Sequence, residues 1–555
     1  MTDLEIASKA KKKHIHTIIE NLDLDLKHID LYGRYKAKLP LGYIDHDKVK
    51  SNNLILVTAT SPTPAGEGKT TMSIGLTEAL NQLGKKTIVV LREPSLGPVF
   101  GIKGGATGGG YSQVLPLEDI NLHFTGDFGT IEKAHNLLSA VIDNNIQSKT
   151  NNIGLDPRTV VWKRVVDMND RALRNIVIGL GGTGSGVPRE TGFDITAASE
   201  IMAILCLADD LNDLKERLGN IFVGFTHDKK PIYARDLKVN GAMAALLKEA
   251  IKPNLVQTME GNPAIVHCGP FANIAQGTNS VVATRLGMSL SDYTVTEAGF
   301  GADLGAEKFM DIKCQSAGLS PKAIVLNTTI RALKYHGGVD LKTLTEPNVE
   351  AVRKGLPNLE KHLENIRHFG INPVIAINKF VTDSDEEIEV IKQFANANNA
   401  RVALAEIWGK GGKGGIELAR QVLASIEEGR SEFKPLYKWE MGVEEKIETI
   451  AKKIYGAKDV EYSTKARRDL KTIDELGLNG LPVCIAKTQK SLSDNPKLLG
   501  KPKGFTVNIR EIEIAAGAGF LIPIAGDIMR MPGLPAFPAS DNITIDNDGN
   551  ITGLF

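Results

Sequence analysis

A strand, a glycine-containing turn and a helix in immediate succession constrain this chain more than any other stretch. Leu54-Ile-Leu-Val-Thr-Ala-Thr is an apolar, β-branched run; Ser-Pro-Thr-Pro-Ala-Gly-Glu-Gly-Lys-Thr-Thr follows it, then a helical pattern from Met72 to Leu83. This is the setting of a phosphate-binding loop that closes on Gly68-Lys69-Thr70. Amides at a helix N-terminus converge there on phosphate oxygens, Lys69 reaches the outer phosphates, and the Thr70 hydroxyl completes a Mg2+ shell. The loop predicts ATP or a related nucleotide. The usual first glycine of G-x-x-x-x-G-K-[ST] is Thr63 here, followed by Pro64.

Further β-branched runs recur at Thr87 to Leu91, Asn175 to Leu180, Ala264 to Cys268, Ala323 to Asn327, Pro373 to Asn378 and Arg401 to Leu404. Most precede a loop and a helix-like stretch, which predicts an α/β fold: a P-loop NTPase-like, mainly parallel sheet flanked by helices. Continuous rather than alternating apolar character predicts cover on both faces. The first 50 residues read as a helical lead-in ending in LYGRYKAKLPL. The expected division is a nucleotide-binding domain over 1–365 with an insertion near 146–240, an α/β domain over 366–460, and a small α+β domain over 461–555.

At 555 residues the chain is long enough for about two to four domains. Lys plus Arg and Asp plus Glu both number 66, so no global field draws it to nucleic acid or an anionic membrane. Cys206, Cys268, Cys314 and Cys484 are far apart and lack zinc spacing, which predicts buried thiols in a reducing compartment. With no signal-like N-terminus and no apolar stretch of bilayer length, a cytoplasmic location is expected. Glycine is unusually clustered, in GIKGGATGGGY, GLGGTGSGVP and GKGGKGG, where backbone must approach a ligand or other backbone closely.

Arg92 and Glu93 follow the second strand directly, at the carboxyl edge where open α/β sheets bind ligands. The Arg92 guanidinium suits a phosphate and a small carboxylate together. A ligase needs such a second ligand beside the terminal phosphate. A regulatory P-loop ATPase does not, and a ligase that activates another small carboxylate is a further alternative. Asn378-Lys379 with Asp383 is out of register for a guanine-reading element, and His267 and His336, each beside glycine, read as structural.

FGIKGGATGGGYSQV from Phe100, TEAGFGADLGAEKF from Thr296, TIRALKYHGG from Thr329 and AINKF from Ala376, with TPAGEGKTT, closely resemble motifs of the formate-tetrahydrofolate ligases. The similarity runs in order from YGRYKAK at Tyr32 to MPGLPAFPA at Met531. It implies ATP-dependent joining of formate to tetrahydrofolate through formyl phosphate, with Mg2+, a response to K+ or NH4+, and a homotetramer. Carried onto this sequence, Thr63, Pro64, Ala65, Gly66, Glu67, Gly68, Lys69 and Thr70 form the ATP loop, with Lys69 on the phosphates. Arg92 grips formyl phosphate, Phe380 and Trp408 stack the pterin, Phe300 is a third aromatic of that pocket, and Glu93 is a polar contact for folate. Stacking on a flat heterocycle is worth ~1 to 3 kcal/mol per base in nucleic-acid systems. The sequence departs from the family pattern at Gly129, Cys268, Gln276 and Thr278, so that two family histidines are absent.

Overall fold

The computed structural model describes residues 2–101, 107–429 and 431–554. Eight of the twelve strands of its main sheet form the central run: β1 (Asn53–Ala59), β2 (Thr87–Leu91), β3 (Asn254–Thr258), β4 (Pro263–Val266), β5 (Tyr293–Glu297), β6 (Ala323–Thr328), β7 (Val374–Asn378) and β8 (Arg401–Ala405). In space they run β3-β4-β2-β5-β1-β6-β7-β8. All are parallel except β3, which pairs antiparallel with β4. The fold is α/β, as the apolar runs predicted.

Successive side chains of β1 point to opposite faces, and each face meets its own helices. Ile55 and Val57 join Met72 and Leu76 of α1 (Lys69–Gln82) and Leu418 and Val422 of α6. Leu54 and Leu56 join Val352 and Leu359 of α5. Here α5 is Val349–His368 and α6 is Ile416–Glu427; before them come α2 (Asp127–Gln147), α3 (Glu200–Leu207) and α4 (Val281–Leu290). With both faces covered, the strands need no polar side, which is why they read as uninterrupted apolar runs.

Three departures from the sequence reading have physical causes. Ile176–Ile178 pairs only with Arg189–Thr191 in an antiparallel hairpin outside the main sheet, and Val177 and Leu180 are 56% and 68% exposed. β5, at the centre of the sheet, was not foreseen because Thr294, Thr296 and Glu297 break its apolar run although all three are buried. The Thr296 hydroxyl accepts from the Asn279 side chain at 2.6 Å and donates to the Val90 carbonyl, so this polarity is internally satisfied. Within the lead-in, Asp30–Leu31 and Ala37–Lys38 pair with each other, and the latter extends the main sheet at β3.

β7 and β8, from the segment 366–460, continue the same sheet as β1. Nearer the C-terminus, β9 (Asp459–Tyr462), β10 (Thr506–Ala515) and β11 (Phe520–Ala525) form a separate sheet beside α7 (Thr464–Glu475). The four cysteines are free and buried. Six lysines, Lys38, Lys308, Lys313, Lys334, Lys446 and Lys487, have no exposed surface. Each ammonium is held by backbone carbonyls or carboxylates, as where Lys38 gives protons to both Asp127 oxygens and the Lys252 carbonyl. Among the described residues no helix is long and apolar enough to cross a membrane.

Candidate functional site

The carboxyl ends of six adjacent parallel strands open onto one edge of the sheet: Arg92 after β2, Glu297 ending β5, the phosphate loop after β1, Thr329 after β6, Phe380 after β7 and Trp408 after β8. The strands that follow β1 in the chain are laid down first on one side of it and then on the other, so this edge is where an open α/β sheet forms its ligand crevice.

The loop from Thr63 to Thr70 is fixed from behind and open in front. Pro64, Ala65, Gly66 and Gly68 are exposed, while Thr63 and Glu67 are buried. Glu67 serves as an internal staple: it accepts from the Thr63 amide at 2.7 Å and from the Thr329 hydroxyl. Burial pushes its carboxyl above the usual range, and those hydrogen bonds pull against the shift. The Glu67 carbonyl accepts from Asn327 at 2.6 Å and from Asn378 at 3.2 Å. Asn378 therefore props the loop rather than reading a base. Gly68 is left-handed at φ +70° and caps α1, whose first amides have no acceptor within the helix. Lys69 and Thr70 begin that helix, partly exposed.

Glu297 was missed by sequence reasoning and joins the two halves of the site. One oxygen accepts from the Thr70 hydroxyl at 2.9 Å, and the other lies 3.5 Å from the Arg92 guanidinium. It is 1% exposed, and that second oxygen has no hydrogen bond among the described residues. A buried carboxylate beside the hydroxyl of a phosphate loop is an oxygen donor set of the kind Mg2+ takes. The only sequence signal was its place just before AGFGADLG.

The loop after β5 is held at close quarters. A Cβ at Gly305 would lie 2.0 Å from the Gly299 carbonyl, and one at Gly299 would lie 2.9 Å from Arg92 Nη1 and 2.6 Å from Ala272. Phe300 sits between Gly299 and Gly301 in the left-handed region at φ +59°, partly exposed and on the same loop as Glu297. A non-glycine residue there is strained, which marks an imposed geometry. Gln276 stands where the family pattern has a histidine, and neither end of its buried amide has a partner among the described residues.

Phe380 and Trp408 lie just past paired residues, Asn378 of β7 and Ala405 of β8. The two rings do not touch each other. Arg331 covers one face of Phe380 at 4.3 Å, and Trp408 is 45% exposed for so large an apolar ring. A Cβ at Gly110 would lie 2.0 Å from the Trp408 carbonyl, so glycine there seats the tryptophan. Ile102 to Ala106, within the FGIKGGATGGGYSQV motif, lie outside the described residues. Glu93 lies deeper, with its carboxyl raised well above the usual range by burial first and then by Asp127, with Lys38 opposing. One of its oxygens has no hydrogen bond among the described residues. His267 and His336 are buried and hydrogen-bonded, the former to Ser280 and the Ala250 carbonyl, the latter to the Ser61 carbonyl and Gly500 amide.

A family model described as formate-tetrahydrofolate ligase matches residues 1–555. The chain belongs to the formate-tetrahydrofolate ligase family. Its activity is that of the family, ATP-dependent joining of formate to tetrahydrofolate. Among solved structures, a Helicobacter pylori folylpolyglutamate synthetase is similar at 10% identity over 77% of this chain and 74% of its own, with a TM-score of 0.20, too slight a likeness to carry an argument.

In this ligase the glycine loop after Trp408 rests on two acids, the exposed Glu260 and the buried Glu78. The Gly412 amide donates to Glu260 at 3.0 Å, and the Glu78 side chain lies directly beneath Gly412. Burial, with Glu260 adding to it, pushes the Glu78 carboxyl up to about 8. A carboxyl whose folded value is raised keeps a proton that the unfolded chain has lost, so stability falls as pH rises from the usual carboxylate range to about 8. The loss has a ceiling of about 1.4 kcal/mol per pH unit. Glu78→Gln is therefore expected to flatten that slope in urea unfolding between about pH 5.5 and pH 7.5. An unchanged slope would place the charge elsewhere.

Proposed function

We propose that this ligase works through formyl phosphate made at the Lys69 loop and passed to tetrahydrofolate held beside Phe380 and Trp408. The observation that carries the reading is the chain Thr70, Glu297, Arg92, which puts a guanidinium one carboxylate away from the phosphate loop. A formate oxygen attacks the γ-phosphorus and the bond to ADP breaks. Lys69 and Arg92 hold the transferring group as charge moves onto its oxygens, which is where most phosphoryl-transfer catalysis lies. Thr70 and Glu297 are the residues that would hold Mg2+, which neutralises the phosphate oxygens when bound.

N10 of tetrahydrofolate then attacks the formyl carbon, the carbon-oxygen bond breaks, phosphate leaves with the electron pair, and the N10 proton is lost. Correct positioning of the amine carries this step, because an uncharged aryl amine is already nucleophilic. The exposed Trp408 ring and the partly exposed Phe380 support stacking of the pterin, with Phe300 on the neighbouring loop. Glu93, the buried residue next to Arg92 in the chain, is the polar contact for folate in this reading.

Hydroxylamine tests the intermediate. With ATP and formate but no folate, the protein should accumulate formohydroxamate and ADP in equal amounts; ADP without formohydroxamate would remove the acyl phosphate. Trp408→Ala is expected to raise the KM for tetrahydrofolate by about tenfold or more with the KM for ATP nearly unchanged. Steady-state assays varying each substrate decide this, and equal changes in both count against stacking. Family membership also supports a homotetramer, a response to K+ or NH4+ and a cytoplasmic location, the first two checked by sedimentation and by exchanging K+ for Na+ in the assay.

A further inference from the structure

A second cavity of about 450 Å3 lies away from the phosphate loop, between the body of the protein and its C-terminal sheet. Its walls come from α2, the Val161 to Lys163 segment, α3 and the Phe222 strand on one side, and from α7, β10 and β11 on the other. Pockets of this size at such a junction are common ligand sites. Trp162, Phe222, Ile514 and Phe520 supply apolar wall. Nothing in the ligase reaction uses this space.

The charges around it do not balance. Asp194, Glu200, Asp469, Glu511 and Glu513 face Lys163, Lys465 and Arg530, five carboxylates against three cations. Every cation is committed: Lys163 lies 3.4 Å from Asp194, Lys465 pairs with Glu511, and Arg530 pairs with Glu513 and lies 3.6 Å from Asp194. His135 adds no charge, since burial lowers it to about 4. Glu200 and Asp469 are left with backbone donors alone. One Glu200 oxygen accepts from the amides of Gly517 and Ala518 at 2.8 and 3.2 Å, and one Asp469 oxygen accepts from Ile512 at 2.9 Å. No hydrogen bond reaches the second oxygen of either among the described residues, and both residues line the cavity and are partly exposed.

An anion would meet net negative charge here, and a neutral apolar molecule would strip water from two carboxylates without replacing it. We propose that this cavity binds an aliphatic diamine, with one ammonium on Glu200, the other on Asp469 and the methylene chain along the apolar wall. Charge-assisted hydrogen bonds to both open oxygens complete what the protein leaves unfinished. Burial also raises Glu200 to about 7, so a bound ammonium would draw a proton off it near neutral pH.

Calorimetric titration of the full-length protein with 1,4-diaminobutane tests this, with n-butylamine and sodium chloride of matched ionic strength as controls. The diamine should bind saturably and at least about tenfold more tightly than the monoamine. Glu200→Gln and Asp469→Asn, which keep the shape and the backbone hydrogen bonds, should each weaken it by about tenfold. Repeating the titration at pH 7 in buffers of different ionisation enthalpy should show proton release in the wild type and none in Glu200→Gln. Hydrogen exchange on the wild type provides a check independent of the variants, with protection expected in α7 and β10. No saturable binding below about 10 mM, equal binding of mono- and diamine, or unchanged affinity in both variants would overturn the proposal.

Discussion

Arg92→Ala is expected to lower kcat/KM for formate by a factor of about 10^3 or more while changing the Kd for ATP by no more than about threefold. Arg92 follows β2, two strands away from the phosphate loop, and is linked to that loop through Glu297. Its positive charge is therefore free to act on the group being transferred, while the nucleotide keeps the α1 terminus and Lys69. The expected signature is a nucleotide that still binds and a carboxylate that is no longer activated. Equilibrium binding of a non-hydrolysable ATP analogue, set against initial rates with formate varied, separates the two. Equal loss of both would mean that Arg92 belongs to the nucleotide site.

Glu297→Gln should produce a different failure. The amide keeps the size of the side chain and loses the charge, so the Thr70 hydroxyl retains an acceptor while the metal and Arg92 lose their anion. A fall in kcat of about 10^2-fold is expected, together with a several-fold higher Mg2+ concentration for half-maximal rate. The Mg2+ dependence discriminates, because Arg92→Ala should leave it in place. An activity loss in Glu297→Gln with no change in Mg2+ response would limit Glu297 to steadying Arg92. Glu297→Ala is less informative, since it takes the carboxylate from a partly buried guanidinium and hydroxyl and costs stability as well.

The difference between what could and could not be read from the chain follows from how each strand achieves burial. β1, β2, β6, β7 and β8 bury by being apolar, so their side chains announce them. β5 buries threonines and a glutamate by pairing them across the sheet and onto Thr70, and no window of hydrophobicity registers a hydrogen bond to a residue more than 200 positions away. The same blindness hid Glu297, and with it the link between the phosphate loop and Arg92. Asn175 to Leu180 erred the other way: its apolar run is real, but no helix lies over it. Phe300 and Phe380 were marked by family resemblance rather than by pattern, since such aromatics are more often core, whereas Trp408 beside GKGGKGG already stood in an odd place for pure core. What the geometry adds is the exposed indole and the Arg331 guanidinium over Phe380.

The six lysines sealed in the interior bear on how the folded state can be monitored. Amine acylation requires a route for the reagent, and these enclosed, hydrogen-bonded groups offer none. An acylating label applied to the native protein should therefore skip Lys38, Lys308, Lys313, Lys334, Lys446 and Lys487 while modifying exposed neighbours. Their appearance in a peptide map then times the opening of the regions that enclose them, residue by residue, without any probe being built into the chain.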